Sequence, residues 1–190
     1  MIEIEITFKI KDTIIDLIKD NLKKLSKEHY TYYKDDNYYL LNKKKFRIRQ
    51  VSKNDNKILN LITSKKDLEN NKIIGVAQEM EFETNDFDNF KDFMLNFGAE
   101  FFYKKIKIGD AYVLDKGILA ELSKVYTIKN IYIGTFLEIE KVTKDLGKKE
   151  YYIEKIHKIT TQIGLNYNDI TNTSYQHFIL NKLNLKDEDK

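Results

Sequence analysis

The chain contains no cysteine and no proline. Without thiols it can form neither disulfides nor thiolate metal sites, so no redox compartment is imposed on it. The missing proline accompanies an abundance of Lys, Asn and Ile, a drift of composition with no structural device attached. No apolar run approaches the roughly 20 residues that a membrane-spanning helix needs. Charge of one sign is also scarce: 33 Lys and Arg face 30 Asp and Glu, for a net charge of +3. So balanced a surface is a poor nucleic-acid magnet. There is no G-x-x-x-x-G-K-[ST] loop, no nucleophile motif, no linker rich in Pro, Gly or Ser, and no repeat of solenoid length. The three histidines, His29, His157 and His177, lack ligand spacing. Met1 leads directly into an alternating acidic stretch unlike a signal peptide. A cytoplasmic location is expected, with no membrane or nucleic-acid partner; a homodimer is admitted.

What is present fits one globular domain. The 190 residues are 42% hydrophobic and 33% charged, enough for a core of ordinary size. The domain is expected over 1–185, with a polar tail at 186–190. Ile2, Ile4, Ile6, Phe8 and Ile10 alternate with Glu3, Glu5, Thr7 and Lys9, a period-2 strand pattern. Asp12 is placed to cap a helix with apolar positions Ile14, Leu17, Ile18, Leu22 and Leu25. Tyr38 to Leu41 and Lys45 to Val51 form a hairpin around Asn42 to Lys44. Strands follow at Ile58 to Lys65 and, after the Asn70-Asn71 loop, Ile73 to Glu83. A second helix presents Phe87, Phe90, Phe93, Met94 and Phe97, closed by Gly98. Further strands are expected at Glu100 to Ile108, Asp110 to Leu114, Ile118 to Tyr126 and Tyr132 to Val142. Helices near Lys148 to Ile163 and Thr173 to Leu183 complete an α+β layout of roughly eight antiparallel strands.

The polar faces of these strands are sorted by sign. Glu3 and Glu5 share one face, Arg47 and Arg49 another, Glu79, Glu81 and Glu83 a third, Lys105 and Lys107 a fourth, Glu138 and Glu140 a fifth. One such pair is an ordinary solvated face; five in one small domain are not. Every strand also has a full apolar face, and amphipathic helices are available to cover it. With helices outside, the charged faces must point toward one another, as in a closed antiparallel β-barrel without exposed edges. An interior lined by both signs is costly unless ligands neutralise it. Clustered carboxylates suit Mg²⁺ or Mn²⁺, and rows of Arg and Lys suit phosphate.

The same residues resemble the motifs of the CYTH superfamily, the triphosphate tunnel metalloenzymes. Glu3-Ile4-Glu5 resembles its opening Glu-x-Glu, with Thr7 where the family has Lys and Lys9 one step further on that face. Phe46-Arg47-Ile48-Arg49 is similar to the R-x-R strand and Thr63-Ser64-Lys65 to the T-x-K strand. Gln78-Glu79-Met80-Glu81 is similar to the acidic central strand, with Ala77 in place of an arginine. Lys105-Ile106-Lys107 looks like the K-x-R strand. Gly134-Thr135-Phe136-Leu137-Glu138-Ile139-Glu140 nearly repeats G-x-F-x-E-I-E. Leu122-Ser123-Lys124-Val125 keeps the frame of Leu-Asp-x-Val without the acid. Gly164-Leu165 with Ser174-Tyr175 resembles the ending of class IV adenylyl cyclase-like members. The matches run from residue 3 to about 180.

The resemblance implies an eight-stranded closed tunnel with helices packed outside. It implies Mg²⁺ or Mn²⁺ held by Glu3, Glu5, Glu138 and Glu140, phosphates held by Arg47, Arg49, Lys65, Lys105 and Lys107, and catalytic parts for Lys9, Glu79 and Glu81. Tyr32, Tyr38 and Tyr39 are placed to stack on a base or simply to pack. The expected activity is cyclisation of ATP to cyclic AMP and pyrophosphate. Hydrolysis of tripolyphosphate, thiamine triphosphate or a nucleoside triphosphate is the alternative, and nucleotide or polyphosphate binding without turnover is a third.

Overall fold

A computed structural model describes residues 1–54, 58–69, 74–166, 169–171 and 173–184. Its strands are β1 (Ile2–Ile10), β2 (Glu28–Leu41), β3 (Lys44–Lys53), β4 (Leu59–Asp67), β5 (Gly75–Glu83), β6 (Glu100–Val113), β7 (Leu119–Tyr126) and β8 (Tyr132–Thr143). Its helices are α1 (Ile15–Leu25), α2 (Phe87–Asn96), α3 (Lys149–Gln162) and α4 (Tyr175–Lys182). The strands close into a barrel in the order β1-β5-β4-β3-β2-β6-β7-β8, every neighbour antiparallel. One end of the barrel therefore gathers the starts of β1, β2, β4 and β7 and the finishes of β3, β5, β6 and β8.

Alternation along β1 decides where the apolar core lies. Glu3 and Glu5 face the barrel interior, so Ile4, Ile6, Phe8 and Ile10 face outward, where they are buried. They join Ala120, Leu122, Leu137 and Ile139 of β7 and β8 and meet Ile18 and Leu22 of α1, Ile156 and Ile159 of α3, and Ile163 just after it. The core is thus a layer between the barrel wall and two helices, as the sign-sorted faces require.

The structure departs from the sequence reading in four places. β6 is one strand through Gly109, where two were expected. A Cβ on Gly109 would stand 2.1 Å from the Leu122 carbonyl oxygen, so the close approach of β6 to β7 requires glycine there. β2 starts ten residues before Tyr38, paired with β3 and β6 over a stretch that shows no apolar alternation. Asp12 does not cap α1; it opens a 3₁₀ turn, Asp12–Ile14, with no side-chain cap bond. Finally, α2 buries none of its residues, with Phe93 54% and Phe97 66% exposed, so the helices that cover the barrel wall are α1 and α3.

Other boundaries agree closely. Asn42 and Lys43 both take positive φ in the β2–β3 turn, and Gly98 and Gly164 take positive φ after α2 and α3. The Asn70-Asn71 loop, Ile73 and the tail at 186–190 lie outside the described residues.

Leu22 is fully buried while Leu17, on the same helix, is 56% exposed. Leu22→Ala should therefore destabilise the protein by about 2–5 kcal/mol, and Leu17→Ala by less than about 1 kcal/mol. Urea unfolding of the two variants checks this.

Candidate functional site

The barrel encloses a cavity of about 710 Å³. Glu3, Glu5, Glu79, Glu81, Glu121, Glu138 and Glu140 line it, and so do Lys34, Arg47, Arg49, Lys65, Lys105 and Lys107. Strand order gives these charges a pattern. The acids sit on β7, β8, β1 and β5, which are contiguous around the barrel; the bases sit on β6, β2, β3 and β4, which are also contiguous. The tunnel has an acidic wall facing a basic wall.

On the acidic wall, Glu3, Glu5 and Glu140 converge, each offering a carboxylate oxygen within 4.8 Å of the others. The register explains the convergence, because Glu5 lies opposite Glu140 across β1 and β8. Burial, together with the charges of Glu138 and Glu3, pushes Glu5 up to about 7. Burial, with Glu3 and Glu121, pushes Glu140 up to about 8. Three crowded hard-oxygen donors, of which Glu5 and Glu140 resist ionising, fit a divalent cation such as Mg²⁺ or Mn²⁺. Glu138, the fourth expected ligand, lines the same wall but is drawn to Lys107.

The walls are tied by ion pairs. Lys107 Nζ donates to Glu138 and, at 2.8 Å, to Glu121. Lys34 donates to Glu121 at 2.5 Å, and Lys65 to Glu3. Burial alone would raise the Glu121 and Glu138 carboxyls; Lys107 outweighs it at both, helped by Lys34 at Glu121 and by Lys105 at Glu138, and holds them below their ordinary range. Arg47 bonds Thr63 at 2.9 Å and reaches Glu79 at 3.4 Å and Glu81 at 3.3 Å. Arg49 closes its Nε and one terminal nitrogen on Asp36 at 2.5 and 2.9 Å.

The two ends differ. Where β1 begins, the lining turns apolar, with Met1, Val51, Leu59, Leu61, Leu119 and Val142 beside Tyr30 and Lys53. The other end carries Tyr38, Lys45, Tyr103 and Lys105 and is covered by Ser174, Tyr175 and Gln176 at the start of α4. Gln176 accepts a hydrogen bond from Lys45 at 2.8 Å. Tyr38 stacks on Tyr103 with ring centroids 4.3 Å apart, and the Lys105 amine lies 4.5 Å from the Tyr175 ring centroid.

Eleven of the twelve site residues named from the sequence line this one tunnel. Lys9 does not; its amine rests over the Phe178 ring, 4.6 Å from the centroid, beyond the capped end. Glu83 is exposed. Of the three tyrosines, Tyr32 and Tyr38 line the tunnel, whereas Tyr39 packs on Phe46 and Phe101. Sequence reading missed Lys34, Asp36 and Glu121. Glu121 was legible in principle: Ala120 and Leu122 are both core residues, so Glu121 must face inward, two residues before Ser123. Thr7, in the family's lysine position, donates to Glu5 at 3.0 Å.

No family model matches the chain, and no curated protein matches it significantly. Solved structures do. The PH1819 protein of Pyrococcus horikoshii OT3 superposes with a TM-score of 0.76 at 22% identity, covering 95% of this chain and 99% of that one. A putative adenylate cyclase from Vibrio parahaemolyticus gives 0.73 at 17% identity, over 94% and 98%. A putative adenylyl cyclase from Hippeastrum, described as having a dominant triphosphatase activity, gives 0.54 at 14% identity, over 97% of each chain. What the chain shares with these proteins is the fold, a closed barrel of eight antiparallel strands.

The raised carboxyls have a sign that can be tested. Between the ordinary value of 4.5 and about 7 or 8, the folded chain holds protons on Glu5 and Glu140 that the unfolded chain has released. Stability therefore falls as pH rises through that window. The melting temperature of the metal-free protein should decline from about pH 5 to about pH 8. Mg²⁺ or Mn²⁺ should restore most at the upper end, and Glu140→Gln should flatten the slope. A level wild-type profile would count against the cluster.

Proposed function

We propose that this protein is a divalent-metal-dependent enzyme that acts on a nucleoside triphosphate threaded through the tunnel, with ATP converted to cyclic AMP and pyrophosphate as its reaction. The observation that carries the reading is the carboxylate trio on one wall facing a row of cations on the other, inside one cavity. Glu3, Glu5 and Glu140, with Glu138 beside them, would hold the metal, which would supply Lewis-acid stabilisation of charge on the phosphates. Arg47, Lys65, Lys105 and Lys107 bind and orient the phosphate chain and offset the charge that builds on the leaving pyrophosphate. Arg49 is held by Asp36 through its Nε and one terminal nitrogen. Glu79 and Glu81 hold Arg47 in its place against Thr63.

The apolar end supports a nucleoside over inorganic phosphate. Val51, Leu59, Leu61, Leu119 and Val142 offer a base and ribose a surface that tripolyphosphate alone has no use for. A nucleoside seated there has its inner phosphate beside the carboxylate trio and its outer phosphates toward Lys105 under α4. That threading favours attack on the inner phosphate by the ribose hydroxyl. Hydrolysis of the terminal phosphate is the second reading, supported by the activity named for the Hippeastrum protein; a binder without turnover is the third.

Purified protein incubated with ATP or tripolyphosphate and Mg²⁺ or Mn²⁺, with products separated by ion exchange, distinguishes the three. Cyclic AMP with pyrophosphate is the expected result. Orthophosphate would replace it with the hydrolase, and metal-dependent ATP binding without products with the binder. Chelation of the metal should abolish turnover, and Glu140→Gln should lower kcat at least about 100-fold. Arg47→Gln should chiefly raise KM, by about tenfold or more.

A further inference from the structure

Among the described residues, the basic wall carries one fully buried acid. Asp36, on β2, is 0% exposed. It lies between Arg49 on β3 and Lys105 on β6 in the strand register. Both of its oxygens are engaged: one accepts from Arg49 Nε at 2.5 Å, the other from an Arg49 terminal nitrogen at 2.9 Å, with Lys105 Nζ 3.4 Å from that second oxygen. Burial alone would raise its pKa, but Arg49, Arg47 and Lys105 outweigh it and hold the carboxyl well below the usual range. Arg49 and Lys105 favour its charged form.

A carboxylate forked by an arginine and approached by a lysine occupies the same donors, in the same geometry, as a phosphate oxygen pair would. Its two oxygens satisfy the guanidinium edge and one side of the Lys105 ammonium before any substrate arrives. We propose that Asp36 is a built-in counter-anion that limits how tightly the basic wall grips phosphate, a positioning residue that lets the pyrophosphate product leave. The inference rests on the triphosphate reading above. Its chemical logic is that a wall of six cations with no internal anion would hold a multiply charged product too firmly to turn over. Asp36 neutralises one cation, keeps Arg49 from swinging, and leaves Arg47, Lys65 and one face of Lys105 for the ligand.

The proposal reverses the usual expectation for loss of a buried, fully bonded residue: here removing the charge strengthens ligand binding. Pyrophosphate binding in Mg²⁺ at fixed ionic strength, measured by titration calorimetry, is the test. Asp36→Asn should bind pyrophosphate at least about tenfold more tightly than wild type, since one unit charge is removed within contact distance of the ligand's partners. In the turnover assay it should lower both kcat and KM. Asp35→Asn makes the same charge change on the outer face, where Asp35 pairs with Lys104 at 2.8 Å, and should leave affinity within about twofold because bulk solvent screens it.

Asp36→Asn leaves two cations short of a partner and could compromise folding. The charge-neutral double variant Asp36→Asn/Arg49→Gln avoids this and should bind pyrophosphate within about threefold of wild type, because the two groups cancel each other. Arg47→Gln should weaken binding by about tenfold or more. Unchanged or weaker binding by a folded Asp36→Asn would overturn the inference while leaving the triphosphate reading intact. Loss of binding in the double variant, to the level of Arg47→Gln, would do the same by making Arg49 a phosphate ligand. Failure of every protein, wild type included, to bind pyrophosphate would remove the reading itself and the inference with it.

Discussion

Everything in this structure depends on closing a sheet around charge. Ionised groups withdrawn from water are tolerated only when opposite charges meet them at contact distance. Here the strand order does most of the matching, with the glutamates on four contiguous strands and the bases on the other four, where Asp36 and Asp67 are acids among them. Lys107 between Glu121 and Glu138, Lys65 against Glu3 and Arg49 against Asp36 are the bonds by which one wall, or one strand, answers another. The balance is incomplete at Glu5 and Glu140, whose raised pKa values mark where positive charge is short. That local shortage, within a lining otherwise paired, is the strongest physical argument for a cation from outside.

Charge inside forces hydrophobicity outside. Because the barrel interior cannot serve as a core, the outward faces of β1, β7 and β8 must find cover, and α1 and α3 supply it. The two functions of the sheet are thereby divided between its faces. One face holds the fold together through packing; the other holds the chemistry. α2 and α4 stand apart from this core: α2 buries none of its residues, and α4 spends its first residues on the tunnel mouth.

Much of this was readable in the sequence because β1 and β8 alternate cleanly, each with one charged and one apolar row. Their inward acids and the cations of β3 and β6 could be named for that reason. β2 could not be read the same way. Its inner row, Tyr30, Tyr32, Lys34, Asp36 and Tyr38, faces the tunnel, and its outer row, His29, Thr31, Tyr33, Asp35 and Asn37, includes no aliphatic residue. With both rows polar or aromatic, period-2 contrast vanishes, and Lys34 and Asp36 vanish with it. Lys9 lies outside the cavity for a different reason: its alternation is regular, but its strand runs past the end of the cavity, so an inward-phase residue meets Phe178. Periodicity reports a face; it does not report how far along the axis the cavity extends.

A sheet without an edge also has no side door. No strand can peel away to admit a ligand without breaking two ladders of hydrogen bonds, and α4 stands across one mouth. Whatever reaches the carboxylates travels lengthwise and leads with a free end. A phosphate chain substituted at one terminus can be drawn in like a thread through a bead, whereas a phosphodiester flanked by bulk on both sides never meets the carboxylates. The topology alone therefore acts as a sieve for chain ends, before any side chain has recognised anything.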